Sequence, residues 1–129
     1  MRKYTLLYFV IAILSSCAIR VNPTGGDKDI VPPKVLNTIP ENFSVNVKTN
    51  DIVITFDEFI QLNDINTQLV VSPLLKYTPE TVVRKKSLHI HFTDTLEANT
   101  TYTMNFGNSI TDNNEGNALE NYQFVFSTG

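Results

Sequence analysis

From Lys34 onward, apolar and polar residues alternate along the chain. Ile52, Ile54 and Phe56 share one side of a stretch whose other side is Val53, Thr55 and Asp57. The pattern recurs in Leu88, Ile90 and Phe92 against Ser87, His89 and His91, and in Tyr102, Met104 and Phe106 against Thr101, Thr103 and Asn105. It returns once more in Tyr122, Phe124 and Phe126 against Gln123, Val125 and Ser127. A period of two puts alternate side chains on opposite faces, so each run predicts a strand buried on one side. Weaker runs at Val35–Ile39, Val45–Val47, Leu69–Ser72 and Thr81–Val83 are further strand candidates. Polar, turn-favouring stretches separate them at Lys48–Asp51, Arg84–Ser87 and Asp112–Asn117. One short helical turn is expected over Phe59–Ile65, kept brief by Asn63 and Asp64. Short strands divided by turns predict an all-β fold, an antiparallel sandwich of about seven strands.

The pattern before Lys34 is different. Arg2 and Lys3 precede a nearly unbroken apolar run, Tyr4 to Leu14, and small residues follow it. That is the layout of a secretory signal peptide, and the run is shorter than the roughly 20 apolar residues that span a bilayer. Residues 18–33 have no apolar period and are punctuated by Pro23, Gly25, Gly26, Pro32 and Pro33, as expected of a tether. The chain therefore divides into a signal segment (1–16), an N-terminus and tether (17–33) and one domain (34–129).

Cys17 is the single cysteine, and it closes Leu14-Ser15-Ser16-Cys17. This tetrapeptide resembles the lipobox of bacterial lipoproteins. The resemblance implies cleavage before Cys17, lipid on its sulfur and an acylated amino group. One acyl chain holds a protein marginally and two or more hold it stably. An ordinary signal peptide, or a buried N-terminal helix with an incidental cysteine, is the alternative.

Two further stretches resemble a family. Leu96-Glu97-Ala98-Asn99-Thr100-Thr101-Tyr102 has the Leu-x-x-x-Thr-x-Tyr spacing of a tyrosine corner. In that device a tyrosine near the start of strand F bonds upstream backbone at the E–F corner of an Ig-like sandwich. Leu96, Thr100 and Tyr102 are its candidate members. Thr111–Asn117, followed by Tyr122–Thr128, is similar to the F–G turn and closing strand of bacterial Ig-like domains of the S-layer-protein type. The resemblance covers about residues 32–129. Together with Cys17 it implies an Ig-like module in a lipid-anchored protein of a Gram-negative envelope. The cysteine pair and core Trp of antibody-type domains are missing.

Composition narrows the function. The formal charge is −3, and losing Arg2 and Lys3 with the signal makes it more negative. No basic face for nucleic acid is expected, and no polybasic help in binding anionic lipid. A single cysteine excludes an internal disulfide.

Candidate chemistry is sparse. His89 and His91 lie two apart on one strand face, but a zinc site needs further ligands and none adjoins them in sequence. The oxygens of Asp112–Asn117 could suit calcium, though they read more simply as a polar turn with Gly116 at positive φ. Asp57 and Glu58 are adjacent and so point to opposite faces of a strand. Arg84-Lys85-Lys86 reads as a solvated hairpin tip. Asp94-Thr95-Leu96 resembles an O-glycosylation acceptor of some exported bacterial proteins and serves equally as the approach to the tyrosine corner. No nucleophile–base pair or phosphate loop occurs.

The expectation is thus a non-enzymatic envelope module without metal or cofactor, held to the membrane by its N-terminal lipid. The partners left open are another envelope protein or a glycan. An accessory carbohydrate-binding module is the alternative, with Tyr77 as its leftover aromatic. Ala18–Val21 carries no acidic residue, which favours the periplasmic face of the outer membrane, with the cell surface as the alternative.

Overall fold

A computed structural model describes residues 18–129. The signal segment and Cys17 lie outside the described residues. The elements are β1 (Val35–Ile39), β2 (Asp51–Phe56), β3 (Ile60–Leu62), α1 (Ile65–Gln68), β4 (Val70–Ser72), β5 (Glu80–Arg84), β6 (Ser87–His91), β7 (Thr101–Asn105), β8 (Ile110–Asp112) and β9 (Gln123–Ser127). One sheet has the order β1-β2-β6-β5, a second β4-β7-β9, and β3 and β8 form a two-stranded ribbon. All strand pairs are antiparallel. Lettered in chain order, the two sheets are A-B-E-D and C-F-G, the arrangement of an Ig-like sandwich.

The alternation seen in the sequence is the alternation of burial. Ile52, Ile54, Phe56, Leu88, Ile90 and Phe92 from one sheet meet Tyr102, Met104, Phe106, Phe124 and Phe126 from the other. Phe126 is the hub, with ring centroids of Tyr102, Phe92 and Phe124 at 5.5, 5.7 and 6.0 Å. Burying each such side chain stabilises by about 1.5–3 kcal/mol. The core and the side chains packed on it run from Val35 to Phe126, so the unit carries its own core and can fold by itself.

Between β1 and β2 the chain changes sheets. Val35–Ile39 pairs with β2. Residues 42–47 then lie along β9, with Ser44 opposite Phe126 in a parallel bridge. Phe43 N–H donates to Val125 O (2.7 Å), Ser127 N–H to Ser44 O (2.9 Å) and Val47 N–H to Ser127 O (2.9 Å). Asn42 Oδ1 accepts from Val125 N–H at 2.8 Å and extends the seam. The opening of the domain thereby touches both sheets, β1 in one and residues 42–47 along the edge of the other.

Two local expectations need correction. The helical turn lies at Ile65–Gln68, not Phe59–Ile65. Ile60–Leu62 is a strand because Ile60 and Leu62 stand opposite Asp112 and Ile110 of β8. No strand is expected at β8 from the sequence, and its last residue, Asp112, falls in the stretch that reads as turn. β8 is buried at all three positions, so no alternation marks it.

Candidate functional site

The two ends of the sandwich carry its most specific polar chemistry. At one end the chain crosses from β6 to β7. Tyr102 is 2% exposed, and its Oη accepts the N–H of Glu97 at 2.9 Å. Leu96 packs on the core beside it. Thr100 Oγ1 donates to Ala98 O at 2.9 Å, and Thr100 N–H donates to Thr128 Oγ1 at 3.0 Å. Thr128 Oγ1 in turn donates to Glu97 O at 2.6 Å. Three hydroxyls, those of Thr100, Tyr102 and Thr128, thus satisfy the backbone of the crossing loop. Thr128 is the member that the spacing motif does not reveal.

At the other end sits the turn after β8. Asp112 is fully buried. Its Oδ1 accepts the N–H groups of Asn114 (3.0 Å), Glu115 (2.7 Å) and Gly116 (2.9 Å). Its Oδ2 accepts Asn117 N–H (3.1 Å) and Asn117 Nδ2 (2.7 Å). Gly116 takes φ 78°, the left-handed region that glycine enters without steric cost. Burial by itself raises the carboxyl's pKa. The Gly116, Glu115 and Asn117 amides and the Asn117 side chain outweigh it, so Asp112 lies below the ordinary aspartate value. A carboxylate spent on its own turn has no oxygen facing outward for a cation.

The same turn grips the segment leading into the domain. Asn117 Nδ2 also donates to Asp29 O at 3.0 Å. Asp57 completes the attachment: its Oδ1 accepts Lys34 N–H (2.8 Å) and its own N–H donates to Lys34 O (3.0 Å). Pro33 between them is buried. Contacts of the body therefore reach back to Asp29. Glu58, next to Asp57, is raised above its ordinary pKa by partial burial and then by the charges of Asp57, Asp112, Asp29 and Glu115.

The remaining candidates are dispersed. His91 Nδ1 lies 2.7 Å from Asp51 Oδ1, both side chains being exposed. His89 shares with it a shallow 300 Å³ recess, and among the described residues no three metal-ligating side chains are grouped. Lys86 folds back onto the body, its Nζ 5.5 Å from the Phe59 ring centroid and 3.2 Å from Asp57 O, so the basic hairpin tip is only partly solvated. Tyr77 is 55% exposed, but Lys76 Nζ stands 5.0 Å over its ring. Asp94 Oδ2 accepts Tyr77 N–H at 2.9 Å, and Thr95 is exposed.

Over residues 29–128 the sequence matches the bacterial Ig-like domain family. The chain belongs to that family. The Ig-like domain so defined begins at Asp29, the residue that Asn117 holds. Among solved structures it is similar to an L,D-transpeptidase from Mycobacterium smegmatis, with 12% identity and a TM-score of 0.49. That match takes in 75% of this chain and 40% of the other. No curated protein matches the sequence. The family is a non-catalytic type of module, so this Ig-like domain is a structural or interaction module. Among the described residues no helix is long and apolar enough to cross a membrane.

Proposed function

We propose that this Ig-like domain is the body of a lipid-anchored envelope protein, of the S-layer-related type, that acts by holding or presenting a surface. Cys17 is the lipid-bearing residue in this reading, after removal of residues 1–16. The observation that carries it is polarity. The segment from Asp29 to Lys34 is fastened at the Asp112–Asn117 end, while β9 runs to the Tyr102 end. A module reached from one end and left at the other suits standing off a membrane. Residues 18–28 form the free leash, reaching about 36 Å when extended. The periplasmic face of the outer membrane is the proposed location.

Mass spectrometry of the mature N-terminus tests the anchor. A triacylated Cys17 is expected, and an unmodified Cys17 or a cut elsewhere removes the reading. Protease shaving of intact cells tests the face, and the domain is expected to resist.

A glycan-binding role is the second reading. A 500 Å³ recess lined by Tyr77, Thr78, Glu80 and Thr93 favours it. Glycan-array binding that survives Tyr77→Ala would remove this recess as the site.

A further inference from the structure

The two sheets present very different outer faces. On the β1-β2-β6-β5 face, Asp51, His91 and Glu80 stand abreast on adjacent strands, and Arg84 pairs across with Ser87. On the other face, one row across the strands is Val70, Asn105 and Gln123. The next is Ser72, Thr103 and Val125, bordered by Phe43, whose N–H donates to Val125 O. The last holds Thr101 and Ser127, with Val45 beyond them on the crossing segment. None of these side chains is charged. Charge resumes beyond the ends of segment 42–47, at Glu41 and Lys48.

A surface kept in water ordinarily carries charge at about a quarter to a third of its positions, whereas the centres of protein interfaces are depleted of it. Apolar area is exposed on this face too: Phe43 is 73%, Val45 64% and Val70 62% exposed. Among the described residues, the side chains of Thr101, Thr103, Ser72 and Gln123 make no hydrogen bond within the chain.

We propose that this face pairs with the same face of a second copy of the chain. A charged partner would give up hydration here without meeting a counter-charge. A copy of the same face brings no charge to desolvate and no like-charge repulsion. Hydroxyls and amides both donate and accept, so they complement themselves across a two-fold axis. An axis running along the strands brings both Asp29 ends to the same side, so two chains tethered in one membrane can meet. Four strand ranks spaced about 4.8 Å, each about five residues long at about 3.3 Å per residue, make a plane of roughly 300 Å². A standard interface buries about 800 Å² per partner. The pairing is accordingly weak in solution and is strengthened where tethering concentrates the chains.

Residues 18–129, which contain the complete core, are the material for the test. Sedimentation equilibrium from 10 µM to 1 mM should show a monomer–dimer equilibrium with a Kd on the order of 0.1–1 mM, the range of weak contacts. Thr103→Arg, and separately Val125→Lys, should weaken it at least tenfold, with the folded state checked by circular dichroism. Val82→Arg on the opposite sheet should leave it unchanged. In the unaltered protein, the amide resonances of Phe43, Thr103 and Val125 should shift with concentration, a readout that needs no variant. A monomer at 1 mM with static resonances overturns the proposal. So does a dimer that Val82→Arg abolishes and Thr103→Arg does not. Shifts on this face produced by dextran or soluble peptidoglycan strands, with the protein monomeric throughout, overturn it in favour of a glycan.

Discussion

The two ends of this sandwich solve one problem with different chemistry. Each has a loop whose backbone groups would be left unpaired, and each closes it with side chains from strand ends. At the Tyr102 end the closing groups are neutral hydroxyls that serve Glu97 and Thr100. At the Asp112 end the closing group is one buried carboxylate that accepts four backbone N–H groups and an amide. The neutral closure is built from hydroxyl bonds, each of ordinary strength. The charged closure is stronger bond for bond and depends on staying ionised. The difference also separates the ends by role. The carboxylate end organises the turn that holds the incoming segment, through Asn117. The hydroxyl end seals only itself.

Asp112→Ala should give the largest effect, because it strands several N–H donors at once and empties a buried site. A loss of urea midpoint at least twice that of Tyr102→Phe is expected, with earlier proteolysis around Asp29. Equal losses would erase the distinction between the ends.

Acid should act on the charged closure next. The Asp112 pKa is lowered in the folded state, from a starting value of 3.8. Its contribution is therefore full above that value and is lost as pH falls through the lower folded value. Stability measured by urea titration between pH 6 and pH 2 should drop at the acid limb. In Asp112→Asn that drop should shrink, and in Tyr102→Phe it should persist unchanged.

Tyr102→Phe should cost about 1–2 kcal/mol, since it leaves the Glu97 N–H without its acceptor, with the ring packing on Phe126 retained. Thermal denaturation measures it. A cost near zero would mean that the corner loop finds water instead.

The smallest effect is expected at Glu58. Its pKa is raised by partial burial and by neighbouring carboxylates, so its ionised form works against folding above the ordinary glutamate value. Glu58→Gln should leave stability unchanged or slightly higher at pH 7, and a clear loss would show a contact that repulsion does not describe.

Much of this architecture is legible in the residues. Ile52, Ile54 and Phe56 declare their strand because one face meets core and the other water. The Leu96–Tyr102 spacing points to the loop whose Glu97 N–H meets Tyr102 Oη. What is hidden follows a different rule. β8 is buried at every position, so Ile110, Thr111 and Asp112 show no period. Asp112 itself reads as one more polar turn residue, and nothing local says that its carboxylate faces inward. Asn117 and Asp57 are equally opaque, because their partners Asp29 and Lys34 lie far away in the chain. The charge-free face emerges only when β4, β7, β9 and residues 42–47 are placed side by side.

The seam between residues 42–47 and β9 has a mechanical consequence. Residues 42–47 and β9 run parallel, and the chain leads away from them toward opposite ends of the sandwich. A pull between Asp29 and Gly129 would slide one against the other rather than peel them apart. The bonds from Phe43 to Val125, from Ser127 to Ser44, from Val47 to Ser127 and from Asn46 to Gly129 would then bear the load together. Seams stressed in this way give at higher force than seams that unzip bond by bond, so the domain would hold its shape under a pull along its length.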